Sequence, residues 1–114
     1  MWFAHNEGWL SIVMHRTRPE HLLVRARKYE HIESLFPHED IYTDFNADYP
    51  YRADVLREDV ATTIANELME IDYDNFKNSV NDTSLRIAYG KVWEDMYKYG
   101  YEYREGTDYK GGLI

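Results

Sequence analysis

The run HLLVRARKY, residues 21–29, places two arginines at a spacing suited to binding an anion. Residues two apart in an extended strand point to the same side of a sheet, so Arg25 and Arg27 are expected to share one face. A further predicted strand, residues 51–57, brings Arg52 to that face. Because guanidinium groups offer fork-shaped donors to phosphate or carboxylate, the three arginines predict a binding site for a small anionic ligand.

Four further side chains complete the predicted ligand site. His15 falls on the same face of the preceding strand and could add a fourth donor when it is protonated. The rings of Tyr42, Tyr51 and Trp9 offer surfaces on which part of a ligand could stack. A nucleotide carries both phosphate and an aromatic base, so it is the kind of ligand that this set of residues suggests.

The arginines have two other interpretations. Arg25 and Arg27 could pair across strands with Asp44 and Asp54, as opposite charges do on solvated sheet faces, where such pairs add little stability. The face could also form a protein interface, including a sheet-to-sheet homodimer, because Trp9 favours burial over exposure to solvent. The sequence does not decide between these alternatives and a ligand site.

No pattern in the chain predicts a catalytic centre, a metal site or a cofactor. The chain has no cysteine, and its five histidines lack the spacing of a metal site. Calcium-loop, glycine-rich phosphate-loop and nucleophile-elbow motifs are missing as well. We therefore expect a non-enzymatic protein. The remaining enzymatic interpretation is a small enzyme acting on a phosphorylated substrate, and it requires His15 beside Asp44 or Asp54.

The negative charge of the chain is concentrated in its middle. The formal net charge is −8, and residues 38–82 contain twelve acidic and three basic side chains, a net of −9. Such a surface disfavours direct binding to nucleic acid and favours a basic protein partner. The segment therefore suggests an alternative function, an acidic inhibitor that occupies a basic groove of an enzyme that handles nucleic acid.

The apolar periodicity predicts an α+β fold, with a four-stranded antiparallel sheet, helices packed on one face and the element order ββαββαα. The predicted elements are strands over 8–16 and 21–27, a helix over 28–36, strands over 40–45 and 51–57, a helix from residue 58 and a last helix capped by Asp82. We expect one domain over residues 1–99 and a flexible tail over 100–114. With neither a membrane-length apolar run nor a signal-peptide pattern, the protein is expected to be cytoplasmic.

Five short motifs carry a resemblance to other proteins: WLSIVMHR, LLVRAR, DYPYRADV, IDYDNFKNSV and YGKVW. In this order they resemble a group of small uncharacterised proteins of bacteria and their phages, over roughly residues 2–97. No activity is known for that group, so the resemblance assigns no site residues. It implies a phage setting, in which small acidic proteins often inhibit host defence and the ligand could be a host signalling nucleotide.

Overall fold

The computed structural model describes residues 1–106 of the chain, with side chains up to residue 102. It divides into two compact units, Met1–Asp74 and a second unit that begins at Asn75. Each unit is described by itself. The elements of the first unit are β1 (Trp2–His5), β2 (Gly8–Met14), β3 (His21–Ala26), α1 (Tyr29–Glu33), β4 (Tyr42–Thr43), β5 (Tyr51–Leu56) and α2 (Arg57–Met69). Those of the second unit are a short 3₁₀ helix (Lys77–Ser79) and α3 (Thr83–Gly106).

The predicted α+β class and the antiparallel sheet are confirmed, but the predicted number of strands is wrong. The sheet has five strands, in the order β1-β2-β3-β5-β4, and every neighbouring pair is antiparallel. The strand that the sequence pattern missed is β1, which pairs with β2 across the tight turn at residues 6–7. Its inclusion changes the order of elements from ββαββαα to βββαββαα, apart from the 3₁₀ helix.

One face of the sheet, called the helix face below, carries the hydrophobic core of the first unit. Alternation along the strands sends Leu10, Val24 and Val55 to this face, where all three are completely buried. Helix α1 adds Ile32 and helix α2 adds Val60 to the same core. Both helices of the first unit therefore pack on one face, and the strand residues of opposite parity form the second face.

Helix α3 begins where the sequence predicts. The Asp82 side chain accepts a hydrogen bond from the backbone N–H of Leu85 at 2.9 Å, which is the expected N-cap interaction. The helix extends to Gly106, beyond residue 100, where a flexible tail is predicted to begin. The rest of that predicted tail, 107–114, lies outside the described residues, and a single domain over residues 1–99 stays a prediction. Within residues 1–106, no helix combines the length and apolar composition that crossing a bilayer requires.

Candidate functional site

The second face of the sheet holds the predicted arginines in a defined register. Ser11 of β2 lies opposite Arg25 of β3, which in turn lies opposite Arg52 of β5. At the two edges, Trp2 of β1 pairs with Ser11, and Tyr42 of β4 pairs with Arg52. These five residues form one row across all five strands, which we call the cross-sheet row.

The three predicted arginines converge on Tyr49, and we call Arg25, Arg27 and Arg52 the arginine cluster. The guanidinium carbons of Arg25 and Arg27 lie 4.8 and 4.2 Å from the centre of the Tyr49 ring. The Nε of Arg52 donates to the backbone carbonyl of Tyr49 at 3.2 Å. Tyr49 is only 6% exposed, so its ring is a fixed support for two positive charges.

Arg25 is the most constrained member of the arginine cluster. Its Nη2 donates to the hydroxyl of Ser11 at 2.7 Å, and Ser11 is 1% exposed. Its Nε is buried and has no hydrogen-bond partner among the described residues. A buried donor without an acceptor costs about 1–3 kcal/mol, so this guanidinium has unused donor capacity.

The predicted pairing of the arginines with aspartates is not what the structure shows. Within residues 1–102, no carboxylate forms an ion pair with any member of the arginine cluster. Asp44 instead accepts a hydrogen bond from the backbone N–H of Asn46 at 3.1 Å, and Asp54 binds a different set of donors. The reason is the register, which places Arg25 directly opposite Arg52, two like charges that repel each other.

Asp54 is the centre of a hydrogen-bonded group on the same face, which we call the Asp54 network. Its Oδ1 accepts from the hydroxyl of Tyr42 at 2.7 Å. Its Oδ2 accepts from Nε2 of His15 at 3.1 Å and from Nη1 of Arg18 at 3.3 Å. Nη2 of Arg18 also lies 2.9 Å from Nε2 of His21. The network ties the edge strand β4 and the β2–β3 connection to β5.

The Asp54 network shifts two pKa values in opposite directions. Partial burial, the hydrogen bond to Asp54 and the negative charge of Asp54 raise the pKa of Tyr42 from 10.0 to about 12. Burial by itself would raise the pKa of Asp54, but the hydrogen bonds from Tyr42, His15 and Arg18 outweigh it and hold that pKa below the ordinary 3.8. Asp54 is therefore ionised, and Tyr42 protonated, at neutral pH.

His15 is fully engaged in the Asp54 network. Its Nδ1 accepts hydrogen bonds from the backbone N–H groups of Thr17 at 3.2 Å and Arg18 at 3.1 Å. Nε2 therefore bears a hydrogen and donates a hydrogen bond to Oδ2 of Asp54. Since both ring nitrogens are engaged, His15 is not placed as a further donor to a ligand bound at the arginine cluster, nor as a free general base.

The three predicted aromatic residues occupy different positions. Tyr42 is bonded to Asp54 at the β4 edge. Trp9 lies on the second face and contacts Trp2 of β1, with 5.6 Å between ring centres and 47° between ring planes. Tyr51 lies on the helix face, packed against the hydrophobic core, so it is on the opposite side of the sheet from the arginine cluster.

Two residues of the site were missed by the sequence analysis, Tyr49 and Trp2. Tyr49 belongs to the turn-like NADYP segment, and a turn gives no periodicity from which the direction of a side chain could be predicted. Trp2 belongs to β1, which was not predicted. Its sequence signal is weak, because the run WFAH contains two aromatic residues, a type that strands favour, but no alternation of apolar and polar residues.

A cavity of about 420 Å³ lies beside the Asp54 network. Its walls are mainly polar and include four carboxylates, together with a guanidinium and an imidazole. The lining residues are Arg18, His21, Glu39, Asp40, Tyr42, Asp54, Leu56 and Asp59. Within residues 1–106, no group of three or more histidine, cysteine, aspartate or glutamate side chains is arranged to hold a metal ion.

Comparison of the chain with protein-family models, with curated proteins and with solved structures gave no match. The resemblance to small bacterial and phage proteins therefore stays a prediction. The function has to be argued from the arginine cluster, the Asp54 network and the distribution of charge.

Proposed function

We propose that the protein binds a small phosphate-bearing anion at the arginine cluster, and that it does so without catalysing a reaction. The observation that carries the proposal is the uncompensated charge of the cluster. Arg25, Arg27 and Arg52 converge on one tyrosine, yet no carboxylate among the described residues pairs with them. The chain has 21 acidic side chains and a net charge of −8, so carboxylates are not scarce.

The electrostatics of the cluster favour an anion as the missing partner. Arg25 and Arg52 lie directly opposite each other, and like charges in that position destabilise a sheet. The ring of Tyr49 attracts two of the guanidiniums but carries no net charge to neutralise them. A phosphate group would supply both the negative charge and the acceptor oxygens for the remaining N–H donors, including the buried Nε of Arg25.

Binding is a better match to the site than catalysis. An enzyme acting on a phosphorylated substrate would need a general base or nucleophile within reach of the bound phosphate. His15, the residue considered for that role, uses Nε2 for Asp54 and Nδ1 for two backbone N–H groups. The arginine cluster itself contains only permanently protonated groups, which orient and neutralise an anion but do not accept a proton.

The proposal is tested by calorimetric titration of the protein with tripolyphosphate, a phosphate chain without any other group. Arg25→Ala and Arg27→Ala are each expected to weaken binding at least about tenfold, because a charge-assisted hydrogen bond is worth about 1.5–3 kcal/mol. Arg16→Ala is the matched control. It removes the same charge from an exposed position in the β2–β3 connection and is expected to bind like the wild type.

Arg27 makes the experiment decisive even if Arg25→Ala fails to fold. Arg27 is exposed, so its replacement leaves the hydrophobic core intact, and circular dichroism verifies the fold of each variant. The proposal is wrong if tripolyphosphate gives no binding to the wild type, or if folded Arg27→Ala binds as tightly as Arg16→Ala.

A second candidate function is an acidic inhibitor that binds a basic protein surface. The cavity beside the Asp54 network favours it, because Glu39, Asp40 and Asp59 line this cavity and all belong to the acidic segment 38–82. A lysine or arginine side chain of a partner is the group whose charge matches such a cavity. This candidate uses a different surface from the arginine cluster, so the two functions can be tested separately.

A further inference from the structure

Trp2 is an exposed aromatic residue in line with the arginine cluster. The residue is 69% exposed, although it belongs to a strand of the sheet. In the cross-sheet row, Trp2 is followed by Ser11 and then by Arg25. An aromatic ring and a set of guanidiniums therefore lie on one face of one rigid sheet.

The spacing within this row matches a ligand that has two chemically different ends. Neighbouring strands are separated by about 4.8 Å, so Trp2 on β1 and Arg25 on β3 are separated by two spacings, about 10 Å. A nucleoside phosphate has an aromatic base at one end and phosphates at the other, with a ribose between them. Ser11 occupies the intermediate position of the row, and its hydroxyl fixes Arg25.

Trp9 supports the ring of Trp2 from the same face. The two rings are 5.6 Å apart and tilted by 47°, while more than half of Trp2 remains exposed to solvent. Stacking of a base on an aromatic side chain of this kind depends on the π-face and not on a particular hydrogen-bond pattern. It therefore recognises the presence of a base but not its identity.

We propose that the anion bound at the arginine cluster is a nucleoside phosphate whose base stacks on Trp2. The inference rests on the proposed function, because it assigns a second contact to the same ligand. The phosphates bind Arg25, Arg27 and Arg52, the ribose lies over the intermediate strand β2, and the base reaches the β1 edge. Affinity then has two separable parts, one due to phosphate and one due to the base.

The test compares two probes, ATP and tripolyphosphate, by calorimetric titration of the full chain. ATP is expected to bind roughly tenfold more tightly than tripolyphosphate, since stacking of one base contributes an effect of that size. Trp2→Ala is expected to remove this advantage and leave tripolyphosphate binding unchanged, and Trp2→Phe is expected to retain part of it. Trp93→Ala on helix α3 is the control, because Trp93 is 54% exposed and belongs to the second unit.

The possible results separate this inference from the proposed function. Equal affinity for ATP and tripolyphosphate would overturn the base contact while the phosphate site stands. An ATP advantage that persists in folded Trp2→Ala would show that the base does not stack on Trp2. Failure of both probes to bind the wild type would overturn the proposed function, and with it this inference.

Discussion

Asp54 accepts hydrogen bonds from side chains in separate parts of the first unit. Tyr42 comes from the edge strand β4, whereas His15 and Arg18 come from the end of β2 and the connection that follows it. Strand β4 is only two residues long, so its backbone ladder alone holds it weakly. The side chain of Asp54 therefore helps to hold β4 against β5, and its ionisation state is expected to affect the free energy of unfolding.

The replacement Asp54→Asn is expected to lower the pKa of Tyr42 from about 12 toward 10.0. The carboxylate raises that pKa through its hydrogen bond and its charge, and both effects are lost in the variant. Partial burial, which raises the pKa, and the charges of Arg52 and Arg18, which lower it, persist. The measurement is a titration of phenolate absorbance, with Asp54→Asn/Tyr42→Phe as the reference that isolates Tyr42. An unchanged Tyr42 titration in Asp54→Asn would contradict the network.

The same variant is expected to lose about 1–3 kcal/mol of unfolding free energy at neutral pH. Because the pKa of Asp54 is lowered by folding, its contribution is present above pH 3.8 and disappears as the pH falls through the lower folded value. Urea denaturation at several pH values should therefore show the wild type and Asp54→Asn converging below pH 3.8. Asp44→Asn, at an exposed position with one local hydrogen bond, should cost little at any pH.

At the scale of elements, helix α1 is set closely against the start of β2. The backbone N–H of Trp9 donates to Nδ1 of His31 at 3.1 Å, and Gly8 lies beneath the same histidine. A Cβ added at Gly8 would lie 2.7 Å from Cα, Cβ and Cγ of His31. Real Cβ atoms do not approach other heavy atoms so closely, so the helix could keep this position only if residue 8 has no side chain.

Gly8→Ala is therefore expected to destabilise the first unit by about 1–3 kcal/mol, the usual cost of overpacking. The measurement is the midpoint of urea denaturation, with the slope of the transition unchanged. Gly90→Ala on helix α3 is the matched control, because a Cβ added there would meet no described atom within 4 Å apart from its chain neighbours and the backbone of its own helix. It should leave stability unchanged or raise it slightly through helix propensity. Equal effects of the two replacements would show that α1 does not pack tightly on Gly8.

The elements whose apolar residues recur at a clear period could be predicted from the sequence. The element that depends on pairing with a neighbouring strand could not. Strands β2, β3 and β5 alternate over six or seven residues, and Asp82 caps the last helix. Strand β1 has only four residues, and it is identified by its antiparallel pairing with β2 in the structure. The arginines were correctly placed on one face, but their support by Tyr49 depends on how a turn folds over the sheet, which periodicity does not encode.

At the scale of the whole molecule, the two candidate functions use two regions of opposite charge. Arg52 and Asp54 are two residues apart on the same face of β5, and each belongs to one of these regions. The arginine cluster is positive, whereas the cavity beside Asp54 is lined by four carboxylates from the acidic segment 38–82. Variants that remove charge from one region should therefore affect only one of the two functions.

If the acidic segment binds a basic enzyme that handles nucleic acid, the affinity is expected to fall steeply with salt. Raising the ionic strength from about 0.1 M to about 1 M shortens the Debye length from about 10 Å to about 3 Å, which screens contacts between exposed charges. Binding of purified enzymes of this class, measured by biolayer interferometry, should weaken by at least about tenfold over that range. The triple variant Glu39→Gln/Asp40→Asn/Asp59→Asn should weaken it at low salt.

The control for this experiment removes the same number of charges from helix α3, through Glu94→Gln/Asp95→Asn/Glu102→Gln at three exposed positions. If the cavity receives a basic side chain, only the Glu39 triple variant loses affinity, because a long-range effect of net charge would weaken both variants alike. Arg27→Ala should leave this interaction intact, just as the Glu39 triple variant should leave tripolyphosphate binding at the arginine cluster intact. Absent or salt-insensitive binding would contradict the inhibitor function and leave anion binding at the arginine cluster as the proposed function.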